Sequence, residues 1–305
     1  MNEPETITVP VSDMKDARAE LEHYDYTALS SYTCLQKGYF QTERHLQSPE
    51  QGEGLLFGID LHAALAVFYR GIQNGDDKEQ THLACARKFA QSYEKHPEFP
   101  RRNLKLGLEI LAEYFLHFAS DWDLEIVKVE QPFSILFTDM PDGLPFLLEG
   151  KRDLGFLDEY GRSSLMDHKT AWRIDSTWRK CPQFQQYRGY MWAEWKATGV
   201  APELIYANGI ATLSRGGGEK SFYRAPTDTF SEDMMRDFEL DVAHKVLHIR
   251  MCRTLGHWPK NDQVCKMWNR ACDYLPVCKS PTTLRENALR RFEHRVWDPL
   301  ETGDD

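Results

Sequence analysis

Asp153, Asp167 and Lys169 are the residues on which a chemistry can be built. They lie on two apolar runs, 150–157 and 163–170, joined by the turn-forming stretch Asp158-Glu159-Tyr160-Gly161. With the turn centred on Tyr160, an antiparallel hairpin sets Asp153 opposite Asp167, with Cβ atoms roughly 5 Å apart. Side chains alternate along a strand, so Lys169 shares the face of Asp167, while Leu154, Phe156 and Met166 fall on the other. Opposed like charges weaken a ladder unless a cation lies between them or water surrounds them. A hard divalent ion, Mg²⁺ or Mn²⁺, meets the first condition and keeps the waters that phosphodiester hydrolysis needs. The lysine can then orient or deprotonate the attacking water, or neutralise charge on the phosphorane. An ordinary solvated hairpin meets the second condition.

The elements that must position these residues follow from periodicity. Apolar residues recur at helical spacing over 25–40, 54–70, 78–95 and 101–120, so the first 120 residues are mostly helix. From Trp122 the pattern turns β-rich, with runs at 124–129, 133–137 and 145–148 before the hairpin. Pro182 suits the first turn of a helix reaching about 198; strands are expected at 204–213 and 221–224, and a long helix at 230–255. A loop region with Cys265, Cys272 and Cys278 then precedes a short basic helix over 283–295. This order describes an α/β mixture around one sheet, preceded by a loosely held acidic tail over 1–20.

Composition bounds the rest. The 305 residues are 41% hydrophobic and 12% aromatic, as a folded chain requires. Taking 47 acidic from 37 basic residues leaves −10, which argues against coating of polyanions by whole-molecule charge. The segment 150–190 nevertheless carries eight Lys and Arg against five acidic residues, so a local basic channel stays open. No run of 18 uncharged apolar residues occurs, and the N-terminus lacks a basic-then-apolar order. The expectation is a cytoplasmic protein without a membrane partner. Seven cysteines are too few for a disulfide scaffold, and point to reduced thiols or metal ligands.

Two further groups stand near the hairpin in the chain. His62 lies in a helix apolar almost all round, where a histidine is usually a hydrogen-bonded core residue. Gln183 and Tyr187 are four apart and share a helix face. Between them and the hairpin, Trp172, Arg173, Trp178, Arg179 and Lys180 pair basic and aromatic groups. Such a loop can hold phosphates and stack unpaired bases, or anchor its tryptophans in the core.

In chain order these pieces resemble the PD-(D/E)XK nuclease superfamily, specifically its RecB-like branch, which includes iron-sulfur nucleases of CRISPR adaptation and phage exonucleases. Gly58-x-x-x-His62 looks like its helical histidine motif and Val129-Glu130-Gln131-Pro132-Phe133 like its preceding strand. Gly150-Lys151-Arg152-Asp153 resembles Gly-x-x-Asp, Asp167-His168-Lys169 resembles Asp-x-Lys, and Gln183 with Tyr187 resembles Gln-x-x-x-Tyr. The resemblance implies a restriction-endonuclease-like mixed β-sheet core flanked by helices. It implies one nuclease domain over 21–305, with a mainly helical part (21–121), a catalytic sheet core (122–228) and a C-terminal helix with a cysteine clasp (229–305). It also implies His62, Asp153, Asp167 and the His168 carbonyl as ligands of Mg or Mn, Lys169 as the catalytic lysine, and Gln183 and Tyr187 as residues that position DNA or that lysine.

The cysteines extend the resemblance. Cys34 far upstream, with Cys265, Cys272 and Cys278, matches the branch's split arrangement around a [4Fe-4S] cluster, which four thiolates satisfy. Zinc also accepts four thiolates, although the gaps of six and five residues are wider than in structural zinc sites; plain buried thiols are the third reading. Cys85, Cys181 and Cys252 match no motif, Cys252 being the substitute if one of the four is displaced. What the resemblance implies overall is a metal-dependent DNA nuclease, an exonuclease by preference. It would act on single-stranded DNA or duplex ends in a bacterial, archaeal or phage-infected cytoplasm, with a recombination or CRISPR-adaptation protein as possible partner. A subunit of the same fold that binds nucleic acid and cuts nothing is the alternative from another class.

Overall fold

The structure is a computed structural model, and it describes residues 18, 20–49, 51–175, 184–214, 221–267, 270–296, 298 and 300. The chain begins with strand β1 (His23–Asp25), short helices α1 (Tyr26–Ser31) and α2 (Leu35–Gly38), and strand β2 (Leu46–Gln47). Helices α3 (Glu53–Asn74), α4 (Lys78–Tyr93) and α5 (Leu104–His117) follow, then strands β3 (Glu125–Phe137), β4 (Phe146–Leu157) and β5 (Ser163–Arg173). Helix α6 (Phe184–Thr198) leads to β6 (Leu204–Ser214) and β7 (Phe222–Thr229). Helix α7 (Glu232–Leu255), the hairpin β8 (Lys266–Met267) and β9 (Arg270–Ala271), helices α8 (Leu275–Lys279) and α9 (Arg285–Leu289), and β10 (Glu293–His294) complete it.

Six strands form one mixed sheet in the order β1-β4-β5-β6-β7, with β3 also paired to β4. The hairpin has the register its turn dictates: Leu154 faces Met166 and Phe156 faces Ser164 across the antiparallel β4–β5 pair. Strands β5 and β6 are parallel, with Lys169 beside Gly209, and parallel neighbours need the crossover that α6 supplies. The α/β sheet architecture expected from element order is therefore the one observed.

The chain divides into two compact units that do not follow its order: 51–132 with 151–232, and 1–50 with 133–150 and 233–305. In the first, Phe57, Leu61, Leu65 and Phe68 of α3 pack against Phe89 of α4, Ile110 and Tyr114 of α5, and Leu154, Phe156 and Met166 of the hairpin. Helix α3 is long and apolar enough to cross a bilayer, yet most of it is buried, which accounts for its composition as that of a central core helix. In the second unit, Phe40, Tyr274, Val277, Leu289 and Phe292 form a smaller cluster. There Arg250 and Arg253 of α7 pair with Glu22, Asp142 and Glu43.

The elements depart from expectation in several places: the runs 124–129 and 133–137 form the single strand β3, and 145–148 joins the first hairpin strand in β4. The helix expected over 25–40 breaks at Cys34, which is extended at φ −121° and ψ 110°, its sulfur accepting the Asn261 N–H at 3.4 Å. The basic helix expected over 283–295 is confined to Arg285–Leu289, because Glu293 and His294 pair as a strand with β2. Most of the expected tail over 1–20 lies outside the described residues, but Arg18 is pinned by Glu149 at 3.1 Å and Asp298 at 2.8 Å.

One close approach sets the distance between helix and sheet. A Cβ on Gly58 would lie 2.7 Å from the Thr170 hydroxyl oxygen, so only glycine lets α3 touch β5 one residue beyond Lys169. Thr170 is β-branched and turns away poorly. Gly58→Ala should therefore cost about 1–3 kcal/mol through overpacking, more than the helix propensity alanine returns. Thermal denaturation checks this, with Gly58→Ala/Thr170→Ala recovering most of the loss; additive losses in the double variant would exclude the contact as the cause.

Candidate active site

Three elements converge at the level of Asp153. Helix α3 brings His62, β3 brings Glu130 and β4 brings Asp153, and one ligand atom from each lies within 4.8 Å of the other two. Among the described residues no other group of three or more His, Cys, Asp or Glu side chains meets that spacing. His62 Nδ1 is 3.5 Å from Asp153 Oδ2, and that oxygen also accepts the His168 backbone N–H at 2.8 Å. The His62 ring hydrogen-bonds the His168 backbone, which places the fourth expected ligand beside the first.

Glu130 was legible only as part of a strand motif, and its carboxylate is the residue sequence reasoning missed. Its backbone stands at φ +49°, in the left-handed region that costs a non-glycine residue about 1 kcal/mol or more. A regular strand residue there would present its side chain on the ordinary alternation, whereas this kink belongs to a carboxylate that meets His62 and Asp153. Lys151, on the same face of β4 as Asp153, pairs with Glu130 at 2.7 Å. On the opposite face Arg152 pairs with Glu194 of α6, which Lys128 also holds, at 2.5 Å.

Asp167 is not in that group of three. Its carboxylate is taken up by Lys169, whose Nζ lies 3.0 Å from Oδ1 in hydrogen-bond geometry and 2.9 Å from Oδ2. Asp167 is almost wholly buried, and Oδ2 has no partner in hydrogen-bond geometry. Burial raises both aspartates: Asp153 to about 7, with the Glu130 charge adding to it, and Asp167 to about 6. Burial works against the Lys169 ammonium, but Asp167 and Asp153 outweigh it and hold its pKa above the usual lysine value. Desolvation pushes the His62 imidazole down, toward the neutral form that ligates metal.

The His168 side chain points away from the cluster and is locked. Its Nδ1 accepts from the Asn208 amide at 2.7 Å, and the ring stacks on Tyr69 at 5.3 Å and meets the His62 ring edge-on at 5.8 Å. Asn208 also donates to Tyr114 at 2.8 Å, and Tyr114 and Tyr69 share a 2.7 Å hydroxyl contact that ends on Asp121 and Arg224. Burial holds His168 far below the usual histidine value, so its ring is neutral.

Helix α6 was expected to offer Gln183 and Tyr187. Gln183 lies outside the described residues, as do Trp178, Arg179, Lys180 and Cys181. Tyr187 is buried, and the Asp167, Asp153 and Glu130 charges act on Tyr190. Gln186 donates to the Tyr190 hydroxyl at 2.9 Å. The sequence 183–190 contains two overlapping Gln-x-x-x-Tyr frames, and the second, Gln186 with Tyr190, lies wholly within the described residues. Burial first, then the two aspartates, raise Tyr190 well above the usual tyrosine value, so it stays protonated as a donor.

The donor set fits a divalent cation. Two carboxylates and an imidazole gather at ligand spacing, and the raised aspartate pKa values reflect negative charge short of a counter-ion. The four expected cysteines gather in the other unit. Cys265 and Cys272 flank the β8–β9 hairpin, joined by a Cys272 N–H to Cys265 carbonyl bond of 2.8 Å, and Cys278 sits on α8. Burial raises the Cys272 and Cys278 thiols, each acted on also by Cys34 and Cys265, while Lys37 and Lys260 lower them. Cys252 is a buried residue of α7, apart from that set.

The sequence matches the family described as the PD-(D/E)XK nuclease superfamily over residues 26–279. No curated protein matches it. Among solved structures it is similar to a candidate exonuclease from Eubacterium rectale, at 13% identity and TM-score 0.47, covering 92% of this chain and 99% of that one. It is similar to SSO0001 at 16% identity and TM-score 0.33, covering 79% and 93%. It is also similar to LHK-Exo in complex with dAMP, at 13% identity and TM-score 0.29, covering 66% and 97%.

The shifted aspartates make cation binding pH-dependent. In the folded chain Asp153 keeps its proton up to about pH 7 and Asp167 up to about 6; an unfolded aspartate releases it near pH 4. The folded state is therefore favoured relative to the unfolded below that window and loses this advantage as pH rises through it. A divalent cation binds the ionised form and offsets the loss. The rise in melting temperature on adding Mn²⁺ should be several degrees at about pH 8 and near zero at about pH 5, and should vanish in Asp153→Asn. A pH-independent rise, or one that survives Asp153→Asn, would exclude this centre.

Proposed function

The chain belongs to the PD-(D/E)XK nuclease superfamily, and on that premise we propose that it is a Mg²⁺- or Mn²⁺-dependent deoxyribonuclease that degrades DNA from strand ends. The observation that carries this reading is the convergence of His62, Glu130 and Asp153 beside the buried Asp167–Lys169 pair. His62, Glu130, Asp153 and the His168 carbonyl would hold the cation, which when bound supplies an acidified water and polarises the phosphoryl oxygens. An imidazole among the donors favours Mn²⁺ over Mg²⁺.

The protein's own groups have distinct tasks. Lys169, kept charged by Asp167, donates to the phosphoryl oxygen on which charge develops. Asp167 aims that amine, and Tyr190, held by Gln186, adds a neutral hydroxyl donor at the same carboxylates. The buried His168–Asn208–Tyr114–Tyr69 chain fixes the peptide whose carbonyl and N–H contact His62 and Asp153. A subunit that binds without cutting has no use for a desolvated ammonium–carboxylate pair beside a metal site, and such pairs are costly to maintain.

In the other unit, Cys34, Cys265, Cys272 and Cys278 would carry a [4Fe-4S] cluster. Zinc accepts the same four thiolates, and the gaps of six and five residues, wider than in structural zinc sites, are what favours the cluster.

Lys169→Met should lower cleavage of end-labelled DNA at least about 100-fold while leaving the Mn²⁺-induced rise in melting temperature intact. Glu130→Gln should weaken Mn²⁺ binding, read by isothermal titration, by about ten-fold or more. Undiminished cleavage by Lys169→Met would sink the assignment of the lysine. Anaerobically purified protein should be brown, with broad absorbance near about 400 nm that Cys34→Ala removes; a colourless, zinc-loaded protein would exclude the cluster.

A further inference from the structure

We propose that Leu55, Ile59, Trp172 and Arg101 form a stacking ledge for the unpaired end of a DNA strand entering the His62–Asp153 site. The proposal rests on the nuclease reading above and adds the strand state of its substrate. Leu55 and Ile59 are 57% and 47% exposed on a helix whose other large apolar side chains are largely core. At positions i and i+4 they share one face of α3, and His62, three residues farther, continues it. A lone exposed leucine means nothing. Two in line, ending on a candidate metal ligand, form a track.

Trp172 extends the track from the sheet. It lies three residues beyond Lys169 on β5, is 49% exposed, and carries Arg101 over its ring at 5.1 Å. Arg102 joins this tryptophan to the start of α3. Its guanidinium is 5.8 Å from the Trp172 ring, its Nε donates to Thr212 at 3.1 Å, and its backbone N–H donates to Glu53 at 2.6 Å. A Cβ on Gly54 would sit 3.6 Å from the same guanidinium, so Trp172 and Arg102 pack beside the helical turn that bears Leu55.

Arg102 is thus consumed by structure, whereas among the described residues no carboxylate pairs with the exposed Arg101. The occupant must then suit a half-exposed tryptophan ring flanked by two guanidiniums, two aliphatic side chains and one cation without a carboxylate partner, leading to a phosphodiester-cleaving centre. A duplex presents phosphates and hides its base faces. A single strand offers bases to Trp172, Ile59 and Leu55 and a phosphate to Arg101, and stacking of this kind is sequence-tolerant. With a net charge of −10, the chain's overall field does not favour DNA, so local contacts, stacking among them, carry the binding.

The test is binding of fluorescein-labelled oligo(dT) and of a blunt duplex in EDTA, where nothing is cut, followed by cleavage in Mn²⁺. Trp172→Ala should weaken oligo(dT) binding roughly ten-fold, Trp172→Phe roughly two-fold, and neither should change duplex binding. Wild type should bind oligo(dT) about ten-fold better than an abasic strand, and Trp172→Ala should lose that discrimination. Arg101→Ala should weaken both strands alike. Unchanged oligo(dT) binding by Trp172→Ala, or equal loss on the duplex, overturns the ledge while leaving cleavage, and with it the nuclease reading, intact. If Leu55→Ser/Ile59→Ser turns a dimer into a monomer without affecting oligo(dT), the face belongs to a second copy of the chain and the ledge falls. Absence of metal-dependent cleavage alongside Trp172-dependent binding would instead fail the nuclease reading alone.

Discussion

Glu130 and Asp153 hold carboxylate oxygens near one another in a space with little water, and the surrounding structure is arranged around that concentration of negative charge. At Asp153 desolvation and the Glu130 charge both favour protonation. The chain answers with cations placed one to a carboxylate: Lys151 on Glu130 and Lys169 on Asp167. Among the described residues Asp153 forms no ion pair with a lysine or arginine; it accepts the His168 N–H, meets His62, and feels Lys169 and Lys151 only as charges, and its pKa rises further than that of Asp167. A divalent cation fits that imbalance.

Keeping that cluster together requires geometry that ordinary elements do not supply. Glu130 leaves the strand conformation to turn its carboxylate inward, and Gly58 gives up its side chain so that α3 can seat His62 against β5. Behind the site, the polar chain from Arg224 and Asp121 through two tyrosines to Asn208 and His168 fixes the Asp167–Lys169 strand from its far side. The reacting face is thus backed by buried, fully directed hydrogen bonds, the arrangement that holds catalytic groups in place without cost at the moment of reaction.

The cysteine region obeys a different constraint. Cys34 leaves the helical conformation, and its sulfur accepts the backbone N–H of Asn261, more than 220 positions away. Burial holds the Cys272 and Cys278 thiols above their usual value, and Lys37 and Lys260 oppose that shift without reversing it.

The sequence by itself determined the class of sheet, the hairpin and its register, because strand alternation and a four-residue turn leave one pairing that buries Leu154, Phe156 and Met166. It also offered candidates for the site, of which the structure brings His62 and Asp153 together with Glu130 and pairs Asp167 with Lys169. Only the tertiary structure decided their partners. That Glu130 joins His62 and Asp153 depends on a left-handed backbone no periodicity announces, and that Asp167 turns to Lys169 depends on which oxygen finds an amine. The charges of Asp167 and Asp153 also act on Tyr190, held by Gln186, a pairing that depends on how α6 packs and that local spacing does not announce. Periodicity reports which face a residue shares; what stands opposite that face comes from contacts between segments far apart in the chain.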